Sequence, residues 1–311
     1  VKETAINILF LGGAKRVSMA EYFLNWGEIA NKKVNIFSYE LNREVPLCAV
    51  ATIIEGQKWS ECNSHLRQVI HENAIDIVIP FVDPATLIAA ELKDISVFSP
   101  VSDVAVCHTF FSKIKSNTWC LENNIPVPTA NASEFPLIAK PDTGSASQGI
   151  VKINNQTELD ALMNRDSYLV QKFIHATEYT VDAYRSVKHG NINYIVPRIR
   201  LETQGGEAVK AKTIRHKVID QLSRGIIEKS GLSGAITLQF LEDKSTGEVF
   251  FMEVNPRFGG GVVTSFGAGI ELAGAVMADF EGRWIPENKE WEEGLIMLRR
   301  FSEIYIHANH H

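Results

Sequence analysis

The stretch from Gly234 to Gly261 reads GAITLQFLEDKSTGEVFFMEVNPRFGGG, and its pattern decides the architecture. An apolar run with β-branched residues passes into the polar segment Asp243-Lys244-Ser245-Thr246-Gly247 and returns as Val249-Phe250-Phe251-Met252-Glu253-Val254. That is the sequence of a β-hairpin. A turn roughly symmetric about Thr246 sets Gln239 of the outgoing strand near Glu253 of the returning one, on one sheet face. Glu253 and Asn255 are two residues apart, so an extended segment points both to the same side. Three oxygen-bearing side chains then converge near Arg257. Hard divalent cations take oxygen ligands and bind through one or two carboxylates while phosphate oxygens fill other positions. One carboxylate and two amide oxygens suit a metal–nucleotide site. The alternative is a solvated outer face, because charge is rarely buried without a partner. Leu238, Phe240, Phe250 and Met252 surround these polar groups with apolar ones, so the strands read as buried on both sides.

The segment Glu253-Val254-Asn255-Pro256-Arg257, with Gln239 on the strand before it, resembles the metal-binding segment of the ATP-grasp superfamily. The similarity is greatest to the carbamoyl-phosphate-synthase-like carboxylate–amine ligases. The resemblance implies that Gln239, Glu253 and Asn255 hold Mg²⁺ (or Mn²⁺) on the phosphates of ATP and that Arg257 faces an acyl-phosphate. It further implies an α/β (α+β) fold, with a Rossmann-like N-terminal preATP-grasp domain (1–106) followed by a two-part ATP-grasp fold. The two parts are a linker helix with the lid subdomain (107–170) and a C-terminal subdomain with the nucleotide and metal site (171–311).

Composition sets limits on the partners. With 311 residues, 45% hydrophobic and 22% charged, the chain can bury a full core and form two or three linked domains. A formal net charge of −6 argues against a nucleic-acid surface, which usually presents a basic patch. Cys48, Cys62, Cys107 and Cys120 form no C-x-x-C pair, and neither a secretory signal nor an apolar run long enough to span a membrane is present. A reduced, cytoplasmic protein with no membrane partner is the expectation. His307, His310 and His311 read as the remnant of a purification tag.

At the N-terminus, Ile6 to Leu11 is a short apolar strand, followed by Gly12-Gly13-Ala14-Lys15-Arg16 and a helical pattern from Val17 to Trp26. Strand, glycine turn and helix open a Rossmann-like unit, but the full G-x-G-x-x-G is absent. A tight turn with no ligand is one reading. The family resemblance gives the other, in which Lys15 and Arg16 help hold an anionic acceptor substrate. Further strands are expected at Val34 to Tyr39, Ala51 to Ile54 and Ile75 to Phe81, with a helix from about Glu61 to Glu72. Asp83 follows the last strand, where open α/β sheets place ligands, so it either contacts substrate or caps the helix that begins near Pro84.

A helical pattern runs from Thr109 to Asn123 before Pro126 and Pro128 break the chain. Lys113 on it is either a solvated charge or, by the resemblance, a contact to the nucleotide phosphates. Phe135 to Val151 reads as strand, a loop of small residues and strand, with Lys140 at the end of the first. Backbone N–H groups of such a loop approach phosphate closely. It resembles the ATP-grasp lid, in which Lys140, Ser145 and Ser147 would meet the nucleotide; an ordinary flexible hairpin is the alternative. Strands are expected over Asp166 to Phe173 and Glu178 to Tyr184. By the resemblance, the backbone at Lys172-Phe173 reads adenine, Glu178 binds ribose, and Gln171 stands where an acidic residue is common. Arg198 and Arg200 end a strand from Asn193, and their density in an acidic protein suggests an anion site or a solvated basic hairpin. Helices are expected over Val218 to Gly231 and about Gly269 to Phe280.

Taken together, the resemblance implies an ATP-dependent ligase that activates a carboxylate and joins it to an amine, with Arg257, Lys140 and Asn255 as its catalytic groups. Its partners would be a small-molecule carboxylate and amine, and a homodimer is expected. The competing readings are a nucleotide-binding regulatory module and a carbamoyl-phosphate-type component acting on bicarbonate or carbamate. A nicotinamide dehydrogenase lacks its fingerprint here.

Overall fold

The computed structural model describes residues 5–92, 95–130, 133–144, 148–162 and 164–306. Ser145, Ser147 and the terminal histidines lie outside the described residues. The N-terminal layer is a parallel sheet of β1 (Ile6–Leu11), β2 (Val34–Glu40), β3 (Thr52–Glu55) and β4 (Ile77–Pro80), in the order β3-β2-β1-β4. Parallel neighbours need crossover connections. Here α1 (Val17–Ala30), α2 (Asn63–Glu72) and α3 (Asp83–Glu91) alternate with the strands. Helices and the rest of the chain cover both faces, which is why Ile8, Leu9, Phe10 and Leu11 are all fully buried.

The first turn of this domain is closed from within. Buried Glu40, at the end of β2, accepts hydrogen bonds from the backbone N–H groups of Gly13 and Ala14 and from Ser38 Oγ at 2.6 Å. Burial pushes its carboxyl pKa up, and these hydrogen bonds oppose the rise. An internal carboxylate thus occupies the turn in which a Rossmann fold seats a phosphate.

The single helix expected over Thr109 to Asn123 is instead two, α4 (Val104–Phe111) and α5 (Lys113–Glu122). Ser112 separates them in an extended conformation, where its Oγ accepts from Lys115 N at 3.1 Å and donates to Asp142 Oδ1 at 2.7 Å. A serine N-cap is the physical cause of the break. Next, β5 (Leu137–Pro141), β6 (Val151–Ile153), α6 (Gln156–Asp160) and β7 (Tyr168–Lys172) build a small antiparallel sheet of order β6-β5-β7. β7 crosses positions 170 and 171, so this sheet ends at Lys172.

The large sheet comprises β8 (Ala176–Arg185), β9 (Ile192–Gln204), β10 (Glu207–Thr213), β11 (Gly234–Asp243), β12 (Val249–Asn255) and β13 (Ile296–Leu298). Its order is β12-β11-β8-β9-β10-β13, with α7 (Lys217–Ser230) before β11 and α8 (Val263–Gly267) and α9 (Leu272–Phe280) after β12. One face packs Ile195, Leu238 and Phe240 against Ile226 and Ile227 of α7. On the other face Tyr184, Tyr194 and Val196 join Phe10, Phe23 and Met277 in one core shared with the N-terminal layer. Among the described residues, no helix is long and apolar enough to cross a membrane.

Gly234 starts β11 at φ +71°, and a Cβ there would lie 2.0 Å from the carbonyl oxygen of Pro100. The next residue, Ala235, donates its N–H to that same oxygen at 2.9 Å. Gly234→Ala must therefore carry both a left-handed backbone and a clash with main chain. We expect a loss of more than about 2 kcal/mol in unfolding free energy, measured by chemical denaturation.

Candidate functional site

Four strands align one polar row across the inner face of the large sheet. Arg198 of β9 stands opposite Thr180 of β8, Thr180 opposite Gln239 of β11, and Gln239 opposite Glu253 of β12. Opposed residues of antiparallel strands share a face, so all four side chains point the same way. A register shift between Gln239 and Phe240 makes Met252 a bulge residue, since Phe240 pairs with Phe251 and Gln239 with Glu253. The consequence is large. Without the bulge, Glu253 would alternate onto the face of Val249 and Phe251, which is packed under α7. Gln239 Nε2 donates to Glu253 Oε1 at 2.6 Å, and Arg200 Nη2 to Gln239 Oε1 at 3.3 Å. Asn255 Nδ2 reaches Glu253 Oε1 at 3.5 Å.

A cleft of about 200 Å³ opens between this row and the small sheet. Ile138, Ile174, Leu241 and Met252 give it apolar walls, and Lys113, Lys140, Glu178, Arg200, Gln239 and Glu253 its polar ones. Lys140 is 6% exposed. Burial depresses its pKa; Glu253 opposes that, Lys113 adds to it, and Glu178 opposes it. Its Nζ donates to Gln171 Oε1 at 3.4 Å, and Gln171 Nε2 in turn donates to Asn117 Oδ1 at 2.9 Å and Pro128 O at 3.2 Å. Lys113, the first residue of α5, sends its Nζ to Gly144 O at 2.9 Å and so ties α5 to the segment after β5.

A second cavity of about 250 Å³ continues from the row toward the N-terminal domain. Arg16, Arg198, Arg200 and Arg257 line it, together with Phe81, Val82, Glu207 and the backbone of Gly259 to Gly261. Each guanidinium has its own carboxylate. Arg257 Nε donates to Asp83 Oδ1 at 2.5 Å, Arg16 Nη2 to Glu207 Oε1 at 2.9 Å, Arg198 Nε to Asp182 Oδ2 at 2.8 Å, and Arg200 pairs with Glu178. Glu207 is partly buried, which works against its charge, yet Arg16, Arg299 and Lys15 hold its carboxyl below the usual range. Glycine is required over the buried pair: a Cβ on Gly261 would stand 2.6 Å from the Arg198 guanidinium. Three buried polar atoms facing this region lack a hydrogen-bond partner among the described residues, namely Arg198 Nη1, Arg200 Nε and Thr180 Oγ1.

A family model described as ATP-grasp in the biosynthetic pathway with Ter operon matches residues 164–300. Superposition on the ADP complex of Staphylococcus aureus N5-carboxyaminoimidazole synthetase gives a TM-score of 0.72 at 15% identity, covering 92% of this chain and 80% of that one. The biotin carboxylase domain dimer of Hydrogenobacter thermophilus 2-oxoglutarate carboxylase, solved with MgADP, ADP and bicarbonate, gives 0.74 at 12% identity, covering 93% and 73%. The chain has the ATP-grasp fold. In sequence it is 26% identical over 135 residues to a D-alanine–D-alanine ligase of Pseudomonas entomophila (strain L48), covering 39% of this chain and 42% of that one. The chain spans less than half the length of the curated relatives it matches.

Within this ATP-grasp fold, Lys113, Lys140, Lys172, Phe173, Glu178, Gln239 and Glu253 come together around the first cleft. Arg16, Arg198, Arg200, Asn255 and Arg257 meet at the second cavity. Three residues stand apart. Gln171 is buried behind Lys140, Lys15 is exposed at the edge, and Asp83 grips Arg257. Asp83 does not cap α3 with its side chain; it is the first helical residue, after Val82. Thr180, Asp182, Glu207 and Arg299 were not singled out by sequence. Two-residue alternation from Glu178 would have placed Thr180 and Asp182 on the same face. Glu207 and Arg299 carry no local signal.

Among the described residues no group of three His, Cys, Asp or Glu side chains could hold a metal. The candidate set is one carboxylate and two amides, and Glu253 has no ion pair among the described residues. An oxygen set with one free carboxylate fits a divalent cation that also binds phosphate.

Lys140 sets stability against function. Its pKa is lowered in the fold, so the unfolded chain binds that proton more tightly and stability rises with pH from the lowered value up to about 10.4. Below that window the buried charge is a constant cost. Lys140→Met should raise the Tm of the free protein near pH 7, the gain shrinking as pH rises toward 10, while nucleotide binding weakens; thermal unfolding against pH and nucleotide titration read the two effects.

Proposed function

We propose that this chain is an ATP-dependent ligase that activates a carboxylate as an acyl-phosphate and couples it to an amine, releasing ADP and phosphate. The observation that carries the reading is the in-register row ending at Glu253, the lining carboxylate without an ion pair among the described residues, with buried Lys140 across the cleft. Supporting it are the nucleotides named for two relatives of this fold, ADP in the S. aureus synthetase and MgADP in the H. thermophilus domain. The D-alanine–D-alanine ligase adds a carboxylate–amine coupling by its name.

In this proposal Gln239, Glu253 and Asn255 would hold Mg²⁺, with both amides turned from their present hydrogen bonds to Glu253 so that their oxygens face the ion. That ion supplies charge neutralisation for the phosphates. Lys113, Lys140 and Arg200 meet the phosphate oxygens, the Lys172–Phe173 backbone meets adenine, and Glu178 meets the ribose. The apolar walls exclude water from the nucleotide base. The substrate carboxylate, held by Arg257 and the donors of Arg198 and Thr180, bonds to the γ-phosphorus as the bond to the β-phosphate oxygen breaks and ADP leaves. The amine nitrogen then bonds to the acyl carbon, the carbon–oxygen bond to phosphate breaks, and the amine gives up a proton. Phosphoryl transfer of this kind is mostly positioning and charge stabilisation, which fits a site of fixed lysines and arginines. A homodimer belongs to the same proposal, on the dimer named for the H. thermophilus domain.

The test is ADP release from Mg²⁺-ATP across a matrix of small carboxylates, each with and without an amine or hydroxylamine. We expect release that requires a carboxylate. Glu253→Gln and Asn255→Ala should each lower it at least about a hundredfold with the Tm retained. Turnover that persists in both variants, or that ignores the carboxylate, would falsify the assignment.

A further inference from the structure

We infer that the second cavity recognises an acidic α-amino acid: its ammonium and α-carboxylate lie on Glu207 and Arg16, and its side-chain carboxylate is the one activated near Arg257. The inference rests on the ligase reading above and gives it a substrate class. Its basis is the pairing of opposite charges on the wall that Arg16 and Glu207 form in the second cavity. Arg16 comes from the end of the first βα turn and Glu207 from the start of β10, 191 residues apart in sequence, and both line the cavity.

The pair is reachable and unsaturated. Arg16 is 15% and Glu207 34% exposed at the side chain. The guanidinium has five N–H groups, and among the described residues its one hydrogen bond runs from Nη2 to Glu207 Oε1 at 2.9 Å. Glu207 Oε2 has Arg299 Nη1 at 3.9 Å, beyond hydrogen-bond length. Gly260 keeps the adjoining space clear, because a Cβ there would stand 3.0 Å from the Glu207 carboxyl carbon and 3.2 Å from Arg16 Nη1. Arg299 Nη2 meanwhile holds the Gly260 carbonyl at 2.7 Å, which fixes that backbone as a wall.

Charge decides among ligand classes. A lone anion docking on Arg16 is opposed by Glu207, and a lone cation docking on Glu207 is opposed by Arg16. A zwitterionic head group satisfies both and leaves the net charge of the wall unchanged. Toward the metal-type ligands the cavity presents the guanidinium groups of Arg257, Arg198 and Arg200 beside Glu253 and Asn255, and that cationic cluster suits a second carboxylate. Phe81 and Val82 line the same cavity and give methylene groups an apolar neighbour. Arg257 and Gly260 are three residues apart, which bounds their Cα separation at about 11 Å. An amino acid with one or two side-chain methylenes spans a gap of that order, and a cavity of about 250 Å³ holds it. The reaction is the same two-step transfer, with the side-chain carboxylate oxygen attacking the γ-phosphorus and the amine later displacing phosphate.

The experiment is hydroxamate formation and ADP release with Mg²⁺-ATP and hydroxylamine. L-aspartate and L-glutamate are compared with succinate and glutarate, which lack the ammonium, and with 4-aminobutyrate, which lacks the α-carboxylate. One of the two amino acids should exceed its des-amino counterpart in kcat/KM by at least about tenfold, the worth of a charge-assisted contact. Glu207→Gln should collapse that ratio toward one through KM, and Arg16→Met should do the same for the ratio to 4-aminobutyrate. Equal or better turnover of succinate, glutarate or a monocarboxylate overturns the inference and leaves the ligase standing. If no carboxylate releases ADP, the ligase reading fails. Calorimetric titration of both amino acids into wild type and Glu207→Gln then decides the head-group site alone, and absence of binding overturns it too.

Discussion

A guanidinium can be buried only if a carboxylate and hydrogen bonds replace the water it gives up, and removal of one partner leaves an uncompensated charge. Arg198 is held in this way beneath the glycine loop, bidentate to Asp182, which also accepts from Ser265 Oγ at 2.8 Å. The same constraint repeats outward around the second cavity, with Arg200 on Glu178, Arg257 on Asp83 and Arg16 on Glu207. Pairing one to one leaves the wall near neutrality apart from Glu253. The local negative charge therefore sits where two side-chain amides converge on Glu253, and a divalent cation would reverse its sign beside the space for phosphates.

These pairs also define how the layers fit. Asp83 and Arg16 belong to the N-terminal layer, whereas Glu207 belongs to β10 of the large sheet and Arg257 to the segment just after β12. Phe10 and Phe23 share a core with Tyr184 and Tyr194, so apolar burial brings the two layers together and the ion pairs orient them. Lys140 arrives from the third layer. Its charge is disfavoured by burial and supported by Glu253 across the cleft, which couples the small sheet electrostatically to the metal-type ligands. A polar site assembled at the junction of three layers is rigid only when all three are docked.

Much of the fold was legible because local chemistry has a period. Two apolar runs flanking a polar turn identified the hairpin of β11 and β12, and the turn sequence centred it well enough to bring Gln239 opposite Glu253. The alternating strands and helices of the first layer followed from the same kind of pattern, as did the strands β5, β6 and β7 around Lys140. The bulge at Met252 was not legible. Symmetry about Thr246 predicts the Gln239–Glu253 pair, yet the strands near the turn pair one residue differently, and the extra residue absorbs the difference. The break at Ser112 was likewise hidden, since it depends on Asp142, 30 residues away.

Local pattern along the chain is enough for the order of elements, the centre of the hairpin turn and the candidate residues on it, because turn residues and apolar runs act between near neighbours. Which candidates meet depends on how the layers dock. Asp83 reads as a helix cap or a substrate contact until Arg257, 174 positions later, is seen to take its carboxylate. Gln171 reads as a nucleotide contact until burial turns it toward Asn117 and Lys140. Glu207 carries no motif, and its place beside Arg16 exists only after the two layers dock. Such contacts form through space between residues whose separation no sequence period encodes, and burial then fixes which charge each one must face.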